Sequence, residues 1–190
     1  MKPRESHHSA FVRGLHLLPF YLFTLLFFLS ACTSIDCPVQ NNVYTVYKLK
    51  KADNTPDTLI KDTLWIWTPR ANGTGASGDL VMDENDTLLI NRLCGTSASG
   101  FNLPISYTLP EDTICLLLRN FDRKDYVDTI FIKKDNMPHF ESVDCQASYF
   151  HHISSVRWTS RVLESVVINN PNVNYDTSTE HIFLYFKADR

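Results

Sequence analysis

The residue best placed for chemistry is Cys32. It closes the tetrapeptide Leu29-Ser30-Ala31-Cys32 and follows an apolar run over 15–29 and a basic start carrying Lys2, Arg4 and Arg13. Basic, then apolar, then small residues at a cut is the anatomy of a secretory signal. A cysteine at the last position makes it a lipobox, so the Cys32 thiol is expected to take a diacylglyceryl group before residues 1–31 are removed. The apolar run holds about 15 residues, including His16 and Pro19, and falls short of the roughly 20 that cross a bilayer. The expected product is held to a membrane by acyl chains such as palmitate, each buried methylene contributing about 0.8 kcal/mol.

With Cys32 used for lipid, Cys37, Cys94, Cys115 and Cys145 remain. Four cysteines in an oxidising compartment allow up to two disulfides in three connectivities. None forms a Cys-x-x-Cys pair, so neither a redox motif nor a zinc ribbon is indicated. Cys94 and Cys115 lie in apolar stretches, where they form a second bridge or pack as small hydrophobes.

Other residue types suggest chemistry without supplying a pattern. His139, His151, His152 and His181 follow the signal, and with Glu141 three of them (His139, His151, His181) would make a metal-dependent site if the fold gathered them. Their spacing matches no ligand motif, and on a strand His151 and His152 point to opposite faces. No Gly-x-Ser-x-Gly marks a nucleophile. Trp65 and Trp67 share one face of a strand, where two indoles either pack in a core or form a platform for a sugar or apolar ligand. If that strand is central, the platform fails. The glycine-rich stretch 71–78 lacks the Lys-Ser/Thr ending of a phosphate loop and reads as turn geometry. No catalytic residue, metal or cofactor is assigned.

These residues must be carried by strands. Alternation or β-branched runs predict strands over 43–49, 58–68, 87–93, 105–109, 113–119, 126–133, 155–160, 162–168 and 181–187. On the first, Val43, Thr45, Tyr47 and Leu49 share a face. Turn clusters separate the strands, among them Asp83-Glu84-Asn85-Asp86, Asn120-Phe121-Asp122-Arg123 and Asp135-Asn136-Met137-Pro138. Asp-Thr followed by Leu or Ile recurs at Asp57, Asp62, Asp86, Asp112 and Asp128, with Asp expected to close a turn onto nearby backbone and Thr to open the strand. No dozen-residue window carries a helical stripe. The expected fold is an all-β antiparallel sandwich, Ig-like or related, of about nine strands over 43–190, after a tether over 32–42.

Cleavage would remove three basic residues and Glu5 from a chain of 18 basic and 21 acidic residues, moving the net charge from −3 to −5. That balance argues against nucleic acid, which rewards basic patches. The tether is short, with Asp36 as the one acid near the lipid, and a periplasm-facing outer-membrane location is favoured over the cell surface.

Several segments carry a family resemblance: Ser34-Ile35-Asp36-Cys37-Pro38, Asn91-Arg92-Leu93, Leu103-Pro104-Ile105-Ser106-Tyr107 and His139-Phe140-Glu141-Ser142-Val143-Asp144-Cys145. Val167-Ile168-Asn169-Asn170, Tyr175-Asp176 and Glu180-His181 continue it. Over 32–187 the chain resembles lipoproteins of unknown function from Bacteroides-group bacteria. The resemblance implies one envelope domain and a Cys37–Cys145 bridge, which would close a loop of about 108 residues; it implies no activity. The expected role is a non-enzymatic structural or protein-interaction module. Ligand or glycan binding through Trp65 and Trp67 is the alternative, and a metal-dependent enzyme on His139, Glu141, His151 and His181 the third reading.

Overall fold

The computed structural model describes residues 43–69 and 87–190. The chain divides into Met1–Cys37 and Pro38–Arg190, and every described residue belongs to the second. Cys32, Cys37, the tether and the glycine-rich stretch lie outside the described residues.

The described residues are all-β, with no helix among them. Ten strands follow in order: β1 Tyr44–Lys50, β2 Leu59–Thr68, β3 Thr87–Gly95, β4 Gly100–Pro104, β5 Glu111–Arg119, β6 Asp125–His139, β7 Ser148–Trp158, β8 Leu163–Ile168, β9 Asn172–Val173 and β10 Ile182–Phe186. They form a four-stranded sheet in the order β4-β1-β10-β8 and a six-stranded sheet in the order β3-β2-β5-β6-β7-β9. Every pairing is antiparallel except that of β1 with β10.

Period-two alternation puts one face of each sheet into a shared core. Val43, Thr45, Tyr47 and Leu49 are all buried, as their spacing predicts. Leu64 and Ile66 of β2 sit opposite Leu118 and Leu116 of β5, and Ile114 sits opposite Ile130 of β6. These side chains join Tyr47, Leu49, Leu103, Leu163 and Leu184 of the other sheet in one hydrophobic cluster. The arrangement is sandwich-like.

Several elements depart from expectation: β4, β9 and the first half of β7 fall where no strand is predicted. Residues 105–109 form no strand; they turn between Pro104 and Pro110, with the Ser106 hydroxyl accepting the N–H groups of Thr108 and Leu109 at 3.3 Å each. Asp135-Asn136-Met137-Pro138 is not a turn: β6 continues through it beyond an irregularity at Lys133/Lys134, paired with the first half of β7. Asn91-Arg92-Leu93 holds a bulge, since Leu64 and Ile66 face Leu93 and Ile90, and Arg92 takes φ 66° to absorb the extra residue.

Asp128, on β6 opposite Leu116, is fully buried. Its Oδ1 accepts the Thr159 hydroxyl at 2.6 Å and the Arg161 N–H at 2.8 Å, and its Oδ2 accepts the N–H groups of Val162 at 2.7 Å and Leu163 at 2.8 Å. One carboxylate thus fixes the connection by which the chain leaves β7 in the six-stranded sheet and enters β8 in the four-stranded one. The other described aspartates of the Asp-Thr pattern also act at long range. Arg190 binds Asp57 at 2.6 Å and Asp62 at 2.9 Å, and Lys134 binds Asp112 at 3.0 Å. Asp57 also makes the expected local bond, to the Thr58 N–H at 2.9 Å, and Asp112 accepts the nearby Ser106 N–H at 3.1 Å.

Gly100 lies where β4 meets β1: a Cβ there would fall 2.5 Å from the Tyr47 carbonyl oxygen and 2.7 Å from Lys48 Cδ. Gly100→Ala is expected to lower unfolding free energy by about 1–3 kcal/mol through this overlap. Asp128→Ala strands buried N–H groups and is expected to cost at least about 3 kcal/mol. Urea denaturation of each variant reads both, and an Asp128→Ala loss under about 1 kcal/mol would refute the role given to the carboxylate.

Candidate functional site

Beyond Glu111, where β5 begins, β6 and β7 run on as a projecting hairpin edged by β9. One of its faces carries an aromatic stack. The His139 ring lies on Phe150 at 4.2 Å between centroids, and Tyr175 meets Phe150 edge-on at 5.0 Å. The Tyr175 hydroxyl donates to Ser148 Oγ, tying the 174–179 loop to the start of β7. The other side carries Tyr149 stacked on Tyr107 at 5.0 Å. Offset rings of this kind hold rigid apolar surface at little conformational cost.

Asn136 joins the hairpin to the segment before β5. Its Nδ2 donates to the carbonyls of Tyr107 and Leu109 at 3.0 Å each, which leaves Oδ1 as acceptor for His151 Nδ1 at 2.8 Å. The His151 Nδ1 therefore carries a proton and donates it to Asn136. Burial first, and the Lys134 charge second, lower its pKa to about 4.

The tip between β6 and β7 is open to solvent and presents apolar side chains among polar ones. Phe140 is 65% exposed and Val143 98%, with Met137 exposed below them. Beside them, His139 Nε2 pairs with Glu141 Oε1 at 3.1 Å. The sequence reading singled out His139 and Glu141 for chemistry but missed Met137, Phe140, Val143, Phe150 and Tyr149 as a surface.

The histidines do not converge. His139 and Glu141 meet, while His151 is bonded to Asn136. His152 takes the opposite, exposed side, with Nδ1 at 2.8 Å from Asn172 Oδ1. His181 is buried at the start of β10. Its Nδ1 accepts the Val46 N–H at 3.0 Å, its own N–H donates to the Val46 carbonyl, and its carbonyl accepts the N–H groups of Asn169 and Asn170. Burial lowers its pKa against the pull of the Asn172 backbone and Asp176. Among the described residues no three His, Cys, Asp or Glu side chains are placed to hold a metal.

Trp65 and Trp67 do share a face, opposite the buried Ile66, but β2 lies between β3 and β5 and Trp67 is only 2% exposed. Trp65 keeps partial exposure under the Arg119 guanidinium, 5.4 Å from its ring. A hollow of about 210 Å³ is lined by Trp65, Trp67, Leu117 and Arg119, so the two indoles form its wall and not an open platform. The suggested Cys94–Cys115 bridge is corrected: both are thiols, Cys94 exposed and Cys115 buried with Sγ 3.9 Å from Thr129 Oγ1. They stand on β3 and β5, which β2 separates, and Cys115 pairs with Trp67 while Cys94 lies next to the partner of Leu64.

The family of unknown function DUF6452 matches residues 77–186, from before β3 to the end of β10, a narrower span than the resemblance over 32–187. No curated protein and no solved structure matches the chain.

The His151 shift carries a sign. Its folded pKa lies below the ordinary value of 6.5, so the unfolded chain takes up the proton first, and stability present above pH 6.5 is lost as pH falls toward 4. The loss attributable to His151 is expected to reach up to about 3 kcal/mol, with His181 acting in the same direction. Urea unfolding between pH 7 and pH 4 should show a shallower decline for His151→Gln than for the native chain. Parallel curves would show that the imidazole is not held neutral.

Proposed function

Because the chain belongs to the DUF6452 family of unknown function, we propose its role from its own residues: a lipid-anchored, non-enzymatic envelope module that binds another envelope protein through the β6–β7 tip. The observation that carries this reading is the exposure of Phe140 and Val143 above the ordered His139, Phe150 and Tyr175 rings. Exposed apolar side chains on a rigid base fit a recognition surface. Of the histidines that would support catalysis, His151 and His181 are instead engaged in holding segments together.

Cys32 supplies the anchor in this reading, on the outer membrane and facing the periplasm. Cys37 bridges Cys145, and the bonded state of Cys145 supports that pairing because Cys94 and Cys115 are thiols. Four residues separate Cys37 from Cys32, so Cys37 stays within roughly 17 Å of the anchor along the chain, and the bridge would keep the tip close to it. The partner is then a protein at the bilayer surface. Glycan binding through Trp65 and Trp67 has less support because Trp67 is buried.

Two measurements test this. Cys32→Ala should leave the signal uncut and the chain without diacylglycerol, read by intact mass; a normally processed variant would exclude lipidation at Cys32. A photo-crosslinking residue at Val143, introduced in living cells, should give a discrete protein adduct that the same residue at the exposed Glu164 of β8 does not give. Adducts to lipid alone, or none, would overturn the protein-partner reading.

A further inference from the structure

A second site lies between the sheets, at the end where β1 and β4 face β2, β3 and the start of β5. A cavity of about 320 Å³ opens there, within the range of small-molecule sites. Its walls include Leu89, Ile105 and Ile114. Polar residues interrupt them, among them Thr68, Thr87, Ser106 and Thr113, and two of the polar groups bear on a ligand. Thr45 is 1% exposed, and its Oγ1 has no hydrogen-bond partner among the described residues. Asp112 lines the same cavity; its Oδ1 binds Lys134 Nζ at 3.0 Å and its Oδ2 accepts the Ser106 N–H at 3.1 Å.

A carboxylate has about four lone-pair sites, and these two contacts leave acceptor capacity on Asp112. A buried hydroxyl without a partner is rare in folded proteins, where nearly all such groups are satisfied. We propose that this cavity binds a neutral, mostly apolar small molecule carrying one hydroxyl, which donates to Asp112 and accepts the Thr45 hydroxyl. Anionic ligands are excluded by the Asp112 charge, and a cation has no call on a carboxylate that Lys134 already neutralises. The charge is confined enough to act at short range: burial raises the Asp112 pKa despite Lys134, and the Tyr47 phenol, also on the cavity wall, is raised by burial and by Asp112. The site is independent of the β6–β7 tip and of any partner bound there.

The test uses the methyl-labelled full chain in detergent micelles, titrated with 2-phenylethanol, ethylbenzene and phenylacetate. The methyl signals of Thr45, Leu89, Ile105 and Ile114 are expected to shift saturably with the alcohol. Ethylbenzene, which can make neither hydrogen bond, should bind about 30-fold more weakly, and phenylacetate no better than ethylbenzene. Thr45→Val keeps shape but removes the hydroxyl, and should cut alcohol affinity about five-fold while leaving ethylbenzene unchanged. Leu89→Trp should abolish the shifts by filling the cavity. No saturable shift in the native chain, or shifts that survive Leu89→Trp in a variant whose other signals stay native, would overturn the site. Equal affinities for alcohol and ethylbenzene, or no effect of Thr45→Val, would overturn the hydroxyl recognition.

Discussion

The Asp128 carboxylate holds the point on which the packing of the two sheets turns. Four donors from residues 159–163 close on it in the interior. That contact sets where β8 begins, and β8 pairs with β10, which pairs with β1. The four-stranded sheet is therefore positioned over the six-stranded one by a polar contact inside an apolar core. Hydrophobic burial supplies the driving force and has no direction; the carboxylate supplies the direction. Thr159 adds a second tie, exchanging hydrogen bonds with the Thr129 backbone beside the same residue.

Two other long-range ties follow the same logic at the margins of the core. Lys134 is a lysine wholly inside the protein, made tolerable by Asp112 and the Leu109 carbonyl at 2.8 Å. Arg190 spans Asp57 and Asp62 with its guanidinium near the Phe186 ring. Buried pairs add little net stability, since desolvation opposes attraction, but breaking one is costly. Their effect here is to fix which strands meet, and so to hold the projecting hairpin and the inter-sheet cavity on a frame with one arrangement.

Much of this frame is legible in the residues, and the unreadable parts share a cause. The face of β1 follows from its alternation because burial obeys the period of two. The Asp-Thr steps mark strand starts near Thr58, Thr87 and Thr113 but fall inside β2 at Asp62 and inside β6 at Asp128; the long-range partners of Asp57, Asp112 and Asp128 lie tens of residues away, and local pattern carries no record of them. Asp135-Asn136-Met137-Pro138 has turn composition but sits in a strand because Asn136 satisfies a neighbouring segment and His151, while Pro138 stands near the strand end opposite Tyr149. The shared face of Trp65 and Trp67 is readable from spacing; the burial of Trp67 is not, since coverage depends on what packs over the strand. Cys115 conforms to its apolar neighbours and Cys94 does not, because the irregular β3 exposes it.

The parallel pairing of β1 with β10 bears on how the chain reaches this state. Val46 and His181, 135 residues apart, exchange backbone and ring hydrogen bonds where that pairing begins. Contacts of such sequence separation slow folding, because the closure entropy of nearly the whole domain is lost before they form. During synthesis β1 has no partner on its β10 side until the last strand emerges. The hairpins from β5 to β7 can pair locally in the meantime, which makes the six-stranded sheet the early product and the four-stranded sheet the late one. A chain built this way keeps one edge of β1 unpaired until its last strand has been made.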